Sequence, residues 1–377
     1  MTITKDSSVS MLKALGIILM VSGHAYVCSP VEQIVGLFHM PLFFFASGYC
    51  FKIKYLDEAW TFCIRKIKTI WWPTVKWMTI FILLHNVFMW MGTYDDRTLL
   101  PGQMPYSIYS FSVMWEKIWN VVSKLQNEQP MIGGYWFMHQ LWWGTLISYV
   151  FMRFIRNTKV VLLLLLAVCL YLKIVGEVDN YFNINSVSFL ASSFIVAGRI
   201  FKEDLERFVD VRVSIACLGL LVVSYFYWPT SMLSFDSMNA IPYFFSSLAG
   251  TVFFLWLFRK WNQPSFLHRM LDYIGSHTLI ILTWHFTCFF FMNLLLVTLY
   301  QYDFYVASTF PTLLNRMFNT HERLAFLTDF PRWWGIVYIL IGVAIPLAGQ
   351  YVGNRCWTLI CFYTNKGIKR WKTNSQS

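Results

Sequence analysis

Long apolar stretches recur along the chain at about 9–27, 33–51, 69–92, 132–155, 158–174, 186–201, 213–229, 238–258, 273–299 and 334–362. Each approaches the roughly 20 residues that a helix needs to cross a bilayer. The pattern predicts about ten transmembrane helices, of which the fifth and sixth are short enough to be tilted or partly interfacial. Short polar, basic segments separate them, and no internal repeat, low-complexity segment or appended soluble domain interrupts the series. The expectation is an all-α integral membrane protein forming one domain over 1–377, with its core at about 9–362 and a basic tail at 363–377.

Charge sets the expected orientation. With both termini in the cytoplasm, every inner loop is basic, and of 30 Lys and Arg only Arg97, Lys117, Lys124, Lys173, Arg316, Arg323 and Arg332 fall outside. That asymmetry is the one the positive-inside rule requires. Two outer connections, about 93–131 and 300–333, are too long for plain links. Their Tyr, Phe and Trp residues suggest short interfacial helices or lids over an outer cavity.

Composition agrees with a lipid environment. Hydrophobic residues make up 57% and charged residues 13%, against roughly 25% charged in an average soluble protein. The net charge of +11 lies in clusters beside apolar spans, so lipid phosphate and membrane orientation account for it, and no nucleic-acid partner is expected. The eight cysteines are scattered without a CxxC pair, which suggests neither a disulfide framework nor a zinc site. The first span has no convincing cleavage site and is read as a retained helix.

That first span, MLKALGIILMVSGHAY (11–26), carries the candidate chemistry. Lys13 and His24 are eleven residues apart, on nearly the same helical face and roughly 16 Å apart along the axis. Ionisable groups inside a span are expensive and face an interior or a watery cavity, which makes both functional candidates. The alternative is a snorkelling lysine and a hydrogen-bonded packing histidine. Four more histidines, His39, His85, His139 and His285, fall at middle or outer depth under this topology. Several at one depth suggest a polar cavity, although a lone buried histidine such as His85 is more often a satisfied core residue. No HxxxH or carboxylate pairing supports a metal.

Histidine is a natural base for removing a hydroxyl proton near neutral pH. An electrophile delivered to it needs an anchor, and RKIKTIWWP (65–73) offers Arg65 and Lys68 on one helical side for a phosphorylated donor. The competing reading of this segment is a stop signal that binds anionic lipid.

Together these residues resemble acyltransferase family 3, the integral membrane acyltransferases. Lys13 to His24 is similar to the family's basic residue and histidine in the first helix. His39-Met40-Pro41-Leu42-Phe43-Phe44-Phe45 leading into Ser47-Gly48-Tyr49 resembles the second-helix signature. Arg65, Lys68 and Pro73 fit the basic loop before helix three, and Tyr135-Trp136-Phe137 fits the aromatic opening of helix four. Phe194 to Gly198, and Gly275-Ser276 through His285, resemble two later segments. The resemblance spans about 9–360. It implies an enzyme of about ten helices in the cell's inner, cytoplasmic membrane that moves an acyl group, usually acetyl from acetyl-CoA, onto a hydroxyl of a surface or lipid-linked glycan.

Under that implication acetyl-CoA is the co-substrate, no metal is expected, and membrane lipid and a hydroxyl acceptor are the partners. Arg65, Lys68 and Lys13 would hold donor phosphates, and His24 would act as base or acyl relay. His39, Trp136 and His285 would contribute to substrate binding. The family's usual arginine is Lys13 here, which keeps the charge but loses the bidentate fork. No esterase-like domain after the last span is expected. The rival class is a transporter or flippase of a lipid-linked glycan or small molecule, but the matching broken helices of two symmetric halves are not evident. A scaffold subunit would leave the Lys13/His24 face without a role.

Overall fold

The computed structural model describes residues 6–25, 29–90, 94, 107–126, 129–204, 210–261, 265–301 and 334–374. All regular structure among them is helical. In chain order the helices are α1 (Ser7–Gly23), α2 (Ser29–Tyr49), α3 (Ala59–Lys66), α4 (Trp72–Leu83), α5 (His85–Trp90), α6 (Phe111–Lys124) and α7 (Trp136–Phe154). There follow α8 (Thr158–Val175), α9 (Ser186–Glu203), α10 (Val211–Tyr227), α11 (Ala240–Lys260), α12 (Phe266–Ser276), α13 (Thr278–Gln301) and α14 (Trp334–Asn374).

Helix starts are written in side chains. Asp6 accepts from the Ser8 amide at 3.1 Å to cap α1. Asn157 caps α8, Ser110 caps α6, and Asn185 with Ser188 closes a capping box on α9. Each occupies amide donors that a helix start otherwise leaves unpaired.

A helix stands on every apolar stretch of the sequence. Among the described residues, four helices are long and apolar enough to cross a membrane by themselves: Val31–Tyr49, Thr158–Val175, Ala240–Lys260 and Trp334–Cys356. Helices α12 and α13 form a fifth if their bent pair counts as one span. The sequence pattern drew a single span over 273–299, whereas the chain turns by 85° between Ser276 and Thr278. The amphipathic α12 lies across α1, and a Cβ at Gly275 would collide with the Ser10 carbonyl oxygen. The second limb of this apolar stretch therefore begins at Thr278. Of the two long connections expected on the outer side, the first contains α6, whose Phe111, Trp115 and Trp119 are exposed as an interfacial helix requires. The second lies almost wholly outside the described residues.

Helix α1 is the centre of the bundle. It packs on α2, α11, α12, α13 and α14, and Met11, Leu12, Ala14 and Val21 are fully buried. Helix α2 is held from its other side by α9 through two glycines that face each other's backbone. A Cβ on Gly48 would strike the Ile195 carbonyl, and one on Gly198 would strike the Phe45 carbonyl. Small residues allow this approach where lipid offers helices no hydrophobic drive to associate. By contrast α8 and α10 present Leu163, Ile174, Ile215 and Phe226 outward.

Gly48→Ala or Gly198→Ala is expected to force α2 and α9 apart and lower stability by about 1–3 kcal/mol. Thermal unfolding of the detergent-purified protein measures it, and an unchanged midpoint would remove this contact as the fastening of α2.

Candidate functional site

A cavity of about 410 Å³ opens between α1, α2, α3, the turn Ile67–Trp71 that precedes α4, α7 and α13. One end is basic, with Lys13 from α1 and Arg65 and Lys66 from α3, beside Tyr55, Cys50 and Ser47. The other end is apolar, lined by Ile17, Met20, Met40, Phe43, Phe137, Met138 and Leu282. No Asp or Glu is among the lining residues.

The basic end owes its shape to an irregular helix. Residues Ile67–Trp71 form a π-helical turn in which the Trp72 amide donates to the Ile67 carbonyl. Pro73 follows directly and has no amide hydrogen to continue an α-helical ladder, and a wide turn accommodates that loss. The 3.6-residue period stops at Ile67, so Lys68 is not carried along with Arg65. It is exposed and outside the cavity lining, and Lys66 takes its place. Arg65 donates to the Tyr55 hydroxyl at 2.6 Å, and its guanidinium lies 5.7 Å from that ring's centroid. Burial and the Arg65 charge push the Lys66 ammonium down to about 8.

Along α1 the cavity follows Lys13, Ile17 and Met20, one stripe at helical spacing. His24 continues the stripe as the residue that caps the helix, with its side chain exposed. The lining ends at Met20, about one turn or 6 Å short of it.

Beyond the apolar end three histidines converge. The His24 ring stacks on His285 with centroids 5.7 Å apart, and Phe286 lies against both at 4.8 and 4.1 Å. His39 lies within electrostatic reach of His24. Two of the three have a defined tautomer. His285 Nδ1–H donates to the Ile281 and Leu282 carbonyls at 3.1 and 3.0 Å, and His39 Nδ1–H donates to the Val35 carbonyl. Carbonyl oxygens only accept, so in each neutral ring Nε2 is left with its lone pair. On His285, which is fully buried, that Nε2 has no hydrogen-bond partner among the described residues. An orphaned buried acceptor of this kind costs about 1–3 kcal/mol and awaits a donor.

The 3₁₀ turn Pro130–Tyr135 holds this ring in place. A Cβ on Gly134 would sit 2.9 Å from Leu282 and 3.9 Å from His285. Thr283 donates its own hydrogen to the Leu279 carbonyl at 2.7 Å, so the buried Tyr135 hydroxyl donates to Thr283, also at 2.7 Å. Trp136 opens α7 half-buried beside these residues, and its neighbours Phe137 and Met138 are the ones that face the cavity.

The two other deep histidines are structural. His85 is bonded at both nitrogens, to Gln129 at 3.1 Å and the Ser107 carbonyl at 2.9 Å, and stacks on Tyr109 at 3.5 Å. His139 donates from Nε2 to the Phe182 carbonyl at 3.0 Å, tying α7 to the loop before α9. Among the described residues no three of His, Cys, Asp or Glu gather as a metal would require.

The family model for the acyltransferase domain of acyltransferase family 3 matches residues 6–349, nearly the whole chain. The chain belongs to that family. It is a membrane acyltransferase domain, and the residues that carried the resemblance now have physical settings. Gly48 and Gly198 are backbone contacts, Gly275 seats α12 on α1, and Lys13 lines the cavity toward His24. No curated protein and no solved structure matches the chain. The sequence by itself did not mark Lys66, Met20 and Met40 as residues that would line the cavity. Pro73, eight residues after Arg65, was the available signal that the helical period would break there.

His85→Ala should lower stability by about 1–3 kcal/mol, because the buried Gln129 Oε1 and the Ser107 carbonyl both lose their bond to the imidazole. His39→Ala, at a site with one intrahelical bond, should cost less. Melting temperatures of the two variants in detergent measure the difference, and equal losses would contradict this division of the histidines.

Proposed function

We propose that the protein transfers a short acyl group, acetyl by preference, from acyl-CoA in the cytoplasm to a hydroxyl of a surface or lipid-linked glycan. The single observation that carries this reading is a carboxylate-free cavity with three cations at one end and a histidine cluster just beyond the other. Such an end suits the phosphates of CoA, since charge-assisted bonds to Arg and Lys are the strong ones. The apolar length beyond it suits the pantetheine arm and acyl group.

In this reading Arg65, Lys66 and Lys13 hold the donor phosphates, while Lys68 meets lipid phosphate or the incoming donor from outside the cavity. The acceptor arrives from the far side at His24. His24 takes the hydroxyl proton as the oxygen attacks the thioester carbonyl carbon. The C–O bond forms, the C–S bond breaks, and the leaving CoA thiolate takes up a proton. His39 and His285 offer Nε2 as acceptors to the hydroxyls of the substrate, and Trp136 supports the wall on which it lies. The full arrangement is ten spans in the inner membrane, with both termini cytoplasmic, so that the basic end meets acetyl-CoA. Membership of an acyltransferase family favours this over transport.

His24→Ala, present in membranes at the wild-type level, should lose about 10²–10⁴-fold in transfer. Undiminished labelled-acetyl transfer by that variant would sink the assignment. Arg65→Gln should raise the donor KM about tenfold with a smaller effect on kcat, the loss of one charge-assisted contact.

Lys66 gives a pH signature. Its charge is present below about 8 and lost as pH rises through that value, so donor KM should climb between pH 7 and 9. The rise should flatten in Lys66→Gln. Identical pH profiles for donor KM in the two proteins would remove Lys66 from the donor site.

A further inference from the structure

The lining of the donor cavity stops short of the histidines. The lining ends at Met20, Met40, Phe137 and Leu282, and neither His24, His39 nor His285 is part of it. Three of these end residues belong to chain segments that continue into the cluster. Met20 precedes His24 by four residues, Met40 follows His39 directly, and Leu282 precedes His285 by three. Met20 and Met40 are almost completely buried, at 4% and 5% exposure, and belong with Phe137 and Leu282 to one packed core. A thioester in the cavity therefore faces a closed apolar partition about one helical turn below His24.

The partition differs in stiffness from one residue to the next. Phe137 is fixed between Phe43 and Phe44, with ring centroids 5.5 and 5.0 Å away. Leu282 packs on Gly134. The two methionines are unbranched, with three rotatable bonds each, and refill irregular space at little cost. They are the side chains that an entering acyl group displaces most easily.

We propose that Met20 and Met40 form a gate between the donor cavity and the histidine cluster, and that it sets the acyl chain length the enzyme accepts. Closed, the gate keeps water on the histidine side from the thioester. A short acyl group moves the methionine termini aside and brings its carbonyl to His24, whereas a longer chain has no room beside them. This rests on the reading of the cavity as the acyl-CoA site and adds to it the group transferred and the residues that select it.

The test is the chain-length profile of purified protein with acetyl-, butyryl- and octanoyl-CoA, together with displacement of labelled desacyl CoA. Met20→Ala and Met40→Ala should raise the octanoyl-to-acetyl ratio of kcat/KM about tenfold, the scale on which an apolar pocket discriminates chain length. Both should also increase hydrolysis of acetyl-CoA without acceptor. Met40→Phe should slow acetyl transfer while desacyl CoA affinity, set at the basic end, stays within about twofold of the wild type. An unchanged ratio in both alanine variants, with desacyl CoA still bound, would overturn the gate and leave the donor site standing. Should the alanine variants not fold, normal transfer by Met40→Phe overturns it instead. Failure of the wild-type protein to bind any CoA would overturn the donor site and the gate together.

Discussion

A polar side chain inside an apolar helix bundle must find a partner or a wet cavity, and that requirement arranges this molecule. With little water at depth, each imidazole is tied to a carbonyl or left waiting for a ligand. His85 and His139 reach groups far along the chain and so fasten loops to helices. His39 and His285 turn back on their own helices, which fixes Nδ1 as the donor and leaves Nε2 free to accept. The same residue type is thus a rivet in two places and presents an open acceptor in two others, and the partner of the first nitrogen decides which.

The scaffold that brings α1, α2 and α13 together rests on close backbone approach. Gly48 meets Gly198's helix, Gly275 meets the start of α1, and Gly134 lets the 3₁₀ turn lie beside His285. Shape at these contacts does what the hydrophobic effect does in water, since the surrounding lipid is as apolar as the core. The consequence is a rigid wall on α1, along which a cation, an apolar stripe and an imidazole follow one another at helical spacing.

The π-helical turn before α4 adds a local irregularity with a large effect. Pro73 removes an amide hydrogen, the turn widens, and the cationic face rotates so that Lys66 rather than Lys68 joins Arg65. Wide turns of this kind are common at functional sites because they reposition side chains that a regular helix would hold elsewhere. Here the shift places a second cation inside the cavity mouth, beside a first one already fixed by Tyr55.

The sequence alone determined the class of the protein, the positions of its apolar helices, and the placing of Lys13 and His24 along one face of the first of them. These are local properties, since hydropathy and the 3.6-residue period need no partner to be read. It also brought out the signatures of the family on residues that proved to be helix contacts and cavity walls. Only the tertiary structure decided which histidines converge, because that depends on which carbonyl each ring reaches. It alone placed the bend at His277, the substitution of Lys66 for Lys68, and the methionine partition. Each follows from helices meeting at close range, and no periodicity within a single helix encodes its neighbour's surface.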